Sequence, residues 1–241
     1  MNSTAPENTL SKKEHSTEIS KSNNGDDFIA PFCAQQIEIL LQNEDFLIIN
    51  KPSGLLSLSG KNPLNFDSVH YRLVQDFPSA TLVHRLDFGT SGIMLVALNK
   101  AVNADFTKQL QNRTVVKHYI AILQGHVGKG SGSIDVPLAK GIFPRQKICY
   151  EQGKAALSEY QVLAKLDEPA LTKVQFTPQT GRTHQLRLHS LAIGHPIIGC
   201  DLYNNDTSQA LAPRLMLHAS LLEFDHPFTG QRISVACECS F

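Results

Sequence analysis

The sequence has no tryptophan, no C-x-x-C pair, no excess of either charge, and no apolar run long enough to cross a bilayer. Each absence excludes something. Without Trp, any stacking on a nucleobase falls to Tyr, Phe, His or Arg. Cys33, Cys149, Cys200, Cys237 and Cys239 are scattered and odd in number. That argues against a disulfide framework and against a structural zinc site. Cys237 and Cys239 read as neighbouring positions on a terminal strand. Lys+Arg and Asp+Glu both count 22, so the formal net charge is zero. A broadly basic nucleic-acid coat is excluded, but a local basic patch is not. The opening Met1-Asn2-Ser3-Thr4-Ala5-Pro6 lacks the charged-then-apolar pattern of a secretion signal. The expectation is a cytoplasmic protein with no membrane partner.

Apolar residues make up 41% of the 241 and charged residues 18%, a balance that buries a core. Residues 1–28 differ. They are rich in Ser, Asn, Thr, Glu and Lys, with Leu10, Ile19 and Phe28 as their large apolar side chains. Such a stretch cannot offset its ordering entropy, so a disordered tail is expected there. Residues 29–241 carry no repeat and no second change of composition, which suits one catalytic domain.

The periodicities within that domain are mixed. Ile37, Ile39 and Leu41 alternate, and Phe46–Ile49 follow across Asn43-Glu44-Asp45, the pattern of a hairpin. Val69, Leu73 and Val74 share a helical face ahead of Pro78. Ile93–Leu98 is a continuous apolar run that reads as a buried strand. Val102, Phe106 and Leu110 predict a helix over 100–112. Val115–Leu123, Gln161–Leu166, Leu171–Thr177, Leu215–Phe224 and Arg232–Ala236 read as strands, and Thr183–Ile193 as a helix. Many hairpins with few helices predict an α+β fold, with a mixed, mainly antiparallel sheet flanked by helices and loops.

Three windows can carry chemistry. His84-Arg85-Leu86-Asp87-Phe88-Gly89-Thr90-Ser91-Gly92 puts charge between two strand-like segments, at a sheet edge or a cleft. Taken alone it also reads as a turn with a capping Asp. Thr180-Gly181-Arg182-Thr183-His184-Gln185-Leu186-Arg187-Leu188-His189 spreads basic residues around a helix. Some must face protein, which is costly for Arg unless a carboxylate pairs with it. Alone, this window also reads as a solvated helix start. In Lys117-His118-Tyr119-Ile120-Ala121, residues 117, 119 and 121 share one strand face, and Tyr119 alone reads as core. His184, His189 and His195 lack metal-ligand spacing, and no H-E-x-x-H is present, so no metal is expected. A His84/Asp87 hydrolase pair lacks an accompanying Ser or Cys nucleophile motif. Basic charge clusters locally. Lys100, Lys108, Arg113 and Lys117 outnumber Asp105, and Lys140, Arg145, Lys147 and Lys154 outnumber Glu151. Such stripes suit a phosphate backbone.

Together these windows resemble the RluA family of pseudouridine synthases. The resemblance covers Asn50-Lys51-Pro52-Ser53-Gly54-Leu55-Leu56-Ser57, the His84–Gly92 block, Lys117-His118-Tyr119 and Gly181–Arg187. It continues through Gly194-His195-Pro196-Ile197-Ile198-Gly199 and Arg214-Leu215-Met216-Leu217-His218-Ala219. It departs from the family at Phe88-Gly89, at Cys200 and in the tail before residue 29.

The resemblance implies the pseudouridine synthase fold and an isomerase that needs no cofactor and no metal. The short length and the Gln146–Tyr150 segment are most similar to members acting on both a tRNA anticodon stem-loop and large-subunit (23S) rRNA. It implies Asp87 as catalytic carboxylate and Arg187 as the cation that favours its charged form. It implies Tyr119 as the tyrosine that stacks on uracil and assists at C5. Arg85 fills the gap left by a flipped nucleotide, Met216 and Leu217 form an apolar wall, and His84, Arg182 and His184 contact substrate. A monomer suffices for one site and one stem-loop. A catalytically silent RNA-binding module on the same fold is the competing reading, which an acid beside an arginine does not favour.

Overall fold

A computed structural model describes Met1 and residues 28–241; the expected tail therefore lies, over 2–27, outside the described residues. The strands are β1 (Glu38–Gln42), β2 (Phe46–Lys51), β3 (Thr81–Leu82), β4 (Ser91–Ala97), β5 (Val116–Gln124) and β6 (Ser131–Asp135). They continue with β7 (Leu138–Lys140), β8 (Gln146–Ile148), β9 (Leu157–Asp167), β10 (Ala170–Pro178), β11 (Leu217–Asp225) and β12 (Arg232–Ala236). The helices are α1 (Val69–Asp76), α2 (Lys100–Gln111), α3 (Gln185–Ala192) and α4 (Asp206–Ala210). Ten strands form one sheet in the order β1-β2-β4-β11-β5-β10-β9-β6, with β12 on β11 and β3 on β4; β7 and β8 form a separate hairpin. Every pairing in the large sheet is antiparallel except β4 with β11. The fold is thus α+β with a mixed, mainly antiparallel sheet.

The unbroken apolar runs of β2 and β4 have a simple cause. Leu47, Ile49, Met94 and Val96 join Val69 and Leu73 of α1 in one cluster. Phe46, Ile48, Ile93, Leu95 and Ala97 join Val102 and Phe106 of α2 in another. Alternate side chains point to opposite faces, and a helix covers each face, so both sets must be apolar. Phe46, Phe106 and Phe224 pack edge to face, with centroids 5.3–5.5 Å apart. Ser68 caps α1 through Tyr71 N at 3.1 Å, and Asn99 caps α2 through Val102 N at 2.9 Å.

The parallel seam between β4 and β11 is short, pairing His218 with Ser91 and Ala219 with Gly92. Gly92 has φ +112°, and a Cβ there would lie 2.2 Å from the Ala219 carbonyl oxygen. Only glycine fits. Beside it, His218 Nδ1 and Ser91 Oγ are 2.9 Å apart, and His218 Nε2 is 3.3 Å from the Cys237 carbonyl. Nε2 therefore donates to Cys237, and Nδ1 accepts from the Ser91 hydroxyl.

Two expectations need correction. α3 begins at Gln185 rather than Thr183, because His184 is held at φ +57° in the left-handed region. Thr183 is therefore no part of the helical face that carries Arg187. Cys237 and Cys239 lie beyond β12, not on it. Strands β6, β7 and β8, over 131–148, carry no periodicity strong enough to be read from the sequence. Phe28, assigned to the tail, stacks edge to face on Phe88 at 5.6 Å.

Gly92→Ala should destabilise the protein by about 3 kcal/mol or more, since strain and clash act together. Thermal unfolding checks this; an unchanged midpoint would show that the seam can open to admit a methyl group.

Candidate active site

The loop between β3 and β4 carries Asp87, and residues 51–57 hold that loop by its backbone. Lys51, the last residue of β2, is fully buried. Its Nζ donates to the carbonyls of Pro52 (2.8 Å), Leu55 (2.7 Å) and Phe88 (3.3 Å). Ser53 Oγ donates to Gly89 O at 2.7 Å, Gly54 N to Phe88 O at 2.9 Å, and Ser57 Oγ to Leu86 O at 2.7 Å. Four hydrogen bonds thus fix the carbonyls of Leu86, Phe88 and Gly89 on both sides of Asp87, three from Ser53, Gly54 and Ser57 and one from Lys51. Burial pulls Lys51 down to about 7, against the fields of Cys33 and Asp87.

Helix α3 delivers the cation. Arg187 is buried, and its Nη2 pairs with Asp201 Oδ1. Its Nε and Nη2 also donate to Cys200 Sγ at 3.4 and 3.3 Å, and its guanidinium lies 5.2 Å from the centre of the Tyr203 ring. Asp87 Oδ2 stands 3.9 Å from Arg187 Nη1, and Oδ1 stands 3.9 Å from His184 Nε2. Neither contact is a hydrogen bond. Among the described residues no hydrogen bond ends on either Asp87 oxygen, so Oδ2 faces the cation, Oδ1 faces His184, and both stay free for a substrate. Burial works against the Arg187 charge, but Cys200, Asp87 and Asp201 hold it more firmly protonated than a free guanidinium. His184 is depressed by burial, with Asp87 opposing and Arg187 adding to the fall. Its Nδ1 is 2.7 Å from Tyr203 Oη.

The loop leading into α3 is braced from within. Gln185 Oε1 accepts from Arg182 N (2.9 Å) and Thr180 Oγ1 (2.8 Å), while its Nε2 donates to Leu157 O and Ser158 Oγ. This buried amide holds His184 in its left-handed conformation.

Tyr119, on β5, packs between the clusters of α1 and α3. Burial, and then the Asp87 carboxylate, push its hydroxyl well above the usual phenol range, so it stays neutral. Arg85, exposed, lies on the rim of a cleft of about 2390 Å³ whose walls include Lys51, His184, Arg187 and Leu215.

The structure brings Asp87, Arg187, His184 and Tyr119 together and leaves Arg85 at the rim. It separates two others. His84 accepts from Leu95 N at 3.1 Å through Nε2 and is held neutral, pulled to about 3 by burial and by Lys117. It serves β4 rather than the cleft. Arg182 turns to Ala155 O at 3.1 Å and borders a different, smaller cleft with Lys117. The wall also differs in detail. Leu217 is buried in the α3 cluster, and Met216 also packs on Ile122, Leu171 and Ile198. Of that segment, Arg214, Leu215 and His218 line the cleft. Asp201, Tyr203, Cys200 and Lys51 were not singled out from sequence. The Cys200 departure and the Lys51-Pro52 block were the signals available.

Known proteins share this fold. The human protein titled RNA pseudouridylate synthase domain containing 1 superposes with a TM-score of 0.71 at 30% identity, over 86% of this chain and 85% of its own. The human domain-containing 4 protein, at 24% identity and a TM-score of 0.67 over 84% and 88%, shares the fold. Fold and sequence together define an RNA pseudouridylate synthase, and the family model so described matches residues 45–192. Proteins named dual-specificity RNA pseudouridine synthase RluA match over most of the chain. That of Yersinia pestis is 46% identical over 84% of this chain and 99% of its own, and that of Escherichia coli K12 is 42% identical over 84% and 93%. The chain belongs to the RluA family of pseudouridine synthases, which are isomerases acting on RNA.

Lys51→Met should strand the carbonyls of Leu55 and Phe88, cost about 2 kcal/mol or more, and slow turnover by loosening the Asp87 loop. Its pH signature is specific. Between about 7 and the ordinary 10.5 the unfolded chain holds the extra proton. Wild-type stability therefore climbs with pH across that window. Denaturant titrations should show a steeper climb in wild type than in the variant; parallel curves would remove Lys51 as its source.

Proposed function

We propose that this protein isomerises uridines in a tRNA anticodon stem-loop and in large-subunit (23S) rRNA, with Asp87 as the group that reacts at the ribose. The observation that carries this reading is the Asp87 carboxylate, facing Arg187 at 3.9 Å with neither oxygen hydrogen-bonded among the described residues. The dual substrate class is supported by the names of the relatives from Yersinia pestis and Escherichia coli.

The chemistry assigns each group a task. The C1′–N1 bond breaks, the uracil turns, and C1′ joins C5; C5 gives up its proton and N1 gains one. Atoms are conserved and nothing is oxidised or hydrolysed, so no cofactor or metal is required. A carboxylate serves as nucleophile at C1′ or as base toward the ribose; the covalent-adduct and glycal routes both start from it. Arg187 orients that carboxylate, and Asp201 takes the guanidinium's direct contact. Tyr119 acts as an aromatic wall with a neutral hydroxyl, because its raised pKa disfavours a phenolate base. A stacked uridine is out of reach of Asp87, so it must flip, at about a few kcal/mol. Arg85, exposed at the rim, offers a guanidinium plane to the vacated stack. Leu215 gives the apolar side, and His184 contacts the substrate beside Asp87. The protein works as a cytoplasmic monomer, with residues 29–241 as the catalytic domain.

Tritium release from 5-³H-uridine RNA tests this, with anticodon stem-loop and rRNA hairpin transcripts compared. Both should release tritium. Asp87→Asn should lower release by about 10³-fold or more while RNA affinity stays within about threefold. Turnover retained in the variant would remove Asp87 from its role, and release from one RNA alone would remove the dual specificity.

A further inference from the structure

A second, smaller cleft of about 230 Å³ is lined by Arg113, Lys117, Gln179, Thr180, Gly181 and Arg182, among others; none of its lining residues is acidic. Lys117 is half-buried, and among the described residues its ammonium has no hydrogen bond and no carboxylate partner. Burial lowers its pKa with nothing to offset it. A Cβ on Gly181 would stand 4.0 Å from Lys117 Nζ, so this glycine leaves the space over the ammonium open. The nearest acid through a lining side chain is Glu159, which accepts from Gln179 Nε2 at 3.3 Å.

Arg113 follows α2 in the left-handed conformation, φ +59°, at a position where glycine is the usual choice. Arg113 and His184 are the two non-glycine residues with positive φ among the described residues. One borders each cleft. Strain of this kind persists where surrounding structure holds a side chain in place for a task.

The location is also informative. Lys117 and Tyr119 share one face of β5, two residues apart, so their backbone positions lie about 7 Å apart along the strand. Arg182 stands five residues before Arg187, on the far side of the turn that Gln185 braces. That turn borders both clefts, with Gly181 and Arg182 on the smaller and His184 on the larger. The Arg113–Lys117 end of a basic stripe thus converges in space with Arg182 from a distant part of the chain.

We propose that Lys117, Arg113 and Arg182 form a separate anion site that holds one phosphodiester of the RNA strand next to the flipped uridine. This rests on the reading that Asp87 acts on an RNA uridine. An RNA phosphate supplies the negative charge that Lys117 lacks, and a guanidinium on either side matches its oxygens. Such a contact fixes the register of the strand and carries no base specificity.

The test couples a neutralised phosphate to a neutralised lysine. Synthetic anticodon stem-loop and rRNA hairpin RNAs would each carry a single methylphosphonate, moved stepwise across the positions flanking the target uridine. At one position the wild-type Kd should rise roughly tenfold. The same modification should change nothing further in Lys117→Met, whose Kd for unmodified RNA is already raised to match. Arg182→Gln, at an exposed position, should couple to that same phosphate and guards against a folding defect in the first variant. Single-turnover rates at saturating RNA should stay within about twofold for both variants. Wild type and Lys117→Met losing equally at every position would overturn the proposal. Because binding is read, the coupling is measured whichever RNA is isomerised; failure of the functional reading shows separately, as absent tritium release.

Discussion

A buried guanidinium organises this molecule. Arg187 is 4% exposed, and a charge so placed must be met by opposite charge and good acceptors. Left unpaired, it would cost about 3–5 kcal/mol. Asp201, Cys200 Sγ and the Tyr203 ring share that demand at direct contact. Their arrangement frees Asp87 from closing onto the cation. The carboxylate stays in the field of Arg187 while its oxygens face outward to reacting atoms. An arginine satisfied by Asp87 alone would hold the carboxylate in a bidentate pair, with less of it left to offer.

That balance needs a rigid loop on the other side. The hydrogen bonds from Lys51, Ser53, Gly54 and Ser57 hold the carbonyls of Leu86, Phe88 and Gly89, so Asp87 is flanked by fixed backbone. Behind the loop, Gly92 lets β4 meet β11 in the sheet's single parallel seam. Two sequence blocks some thirty residues apart thus belong to one structural device. Their joint occurrence in the sequence has a mechanical reason beyond the chemistry of Asp87 itself.

Much of the fold was legible because its signals are local. The alternation of Ile39 and Leu41, the helical spacing of Val102 and Phe106, and the apolar run from Ile93 each report one element and its burial. The Asp87–Arg187 pairing came from resemblance, and the structure adds its geometry. What was not legible depends on distant partners. Nothing in Lys51 or Asp201 shows that one anchors a loop and the other an arginine. His84 and Arg182 sit in motifs that also contain site residues, yet a strand's alternation and a left-handed turn carry them elsewhere. Helix α3 starts late because the Gln185 amide stabilises a turn that helical periodicity cannot reveal.

Asp201 anchors Arg187 so that Asp87 is oriented without being captured. The most direct measurement is the single-turnover rate of Asp201→Asn on saturating anticodon stem-loop RNA, with a crystal structure of the variant beside it. The rate should fall by about tenfold with RNA affinity unchanged, and Arg187 should move into hydrogen-bonding distance of Asp87. A full rate with Arg187 still 3.9 Å from Asp87 would contradict it.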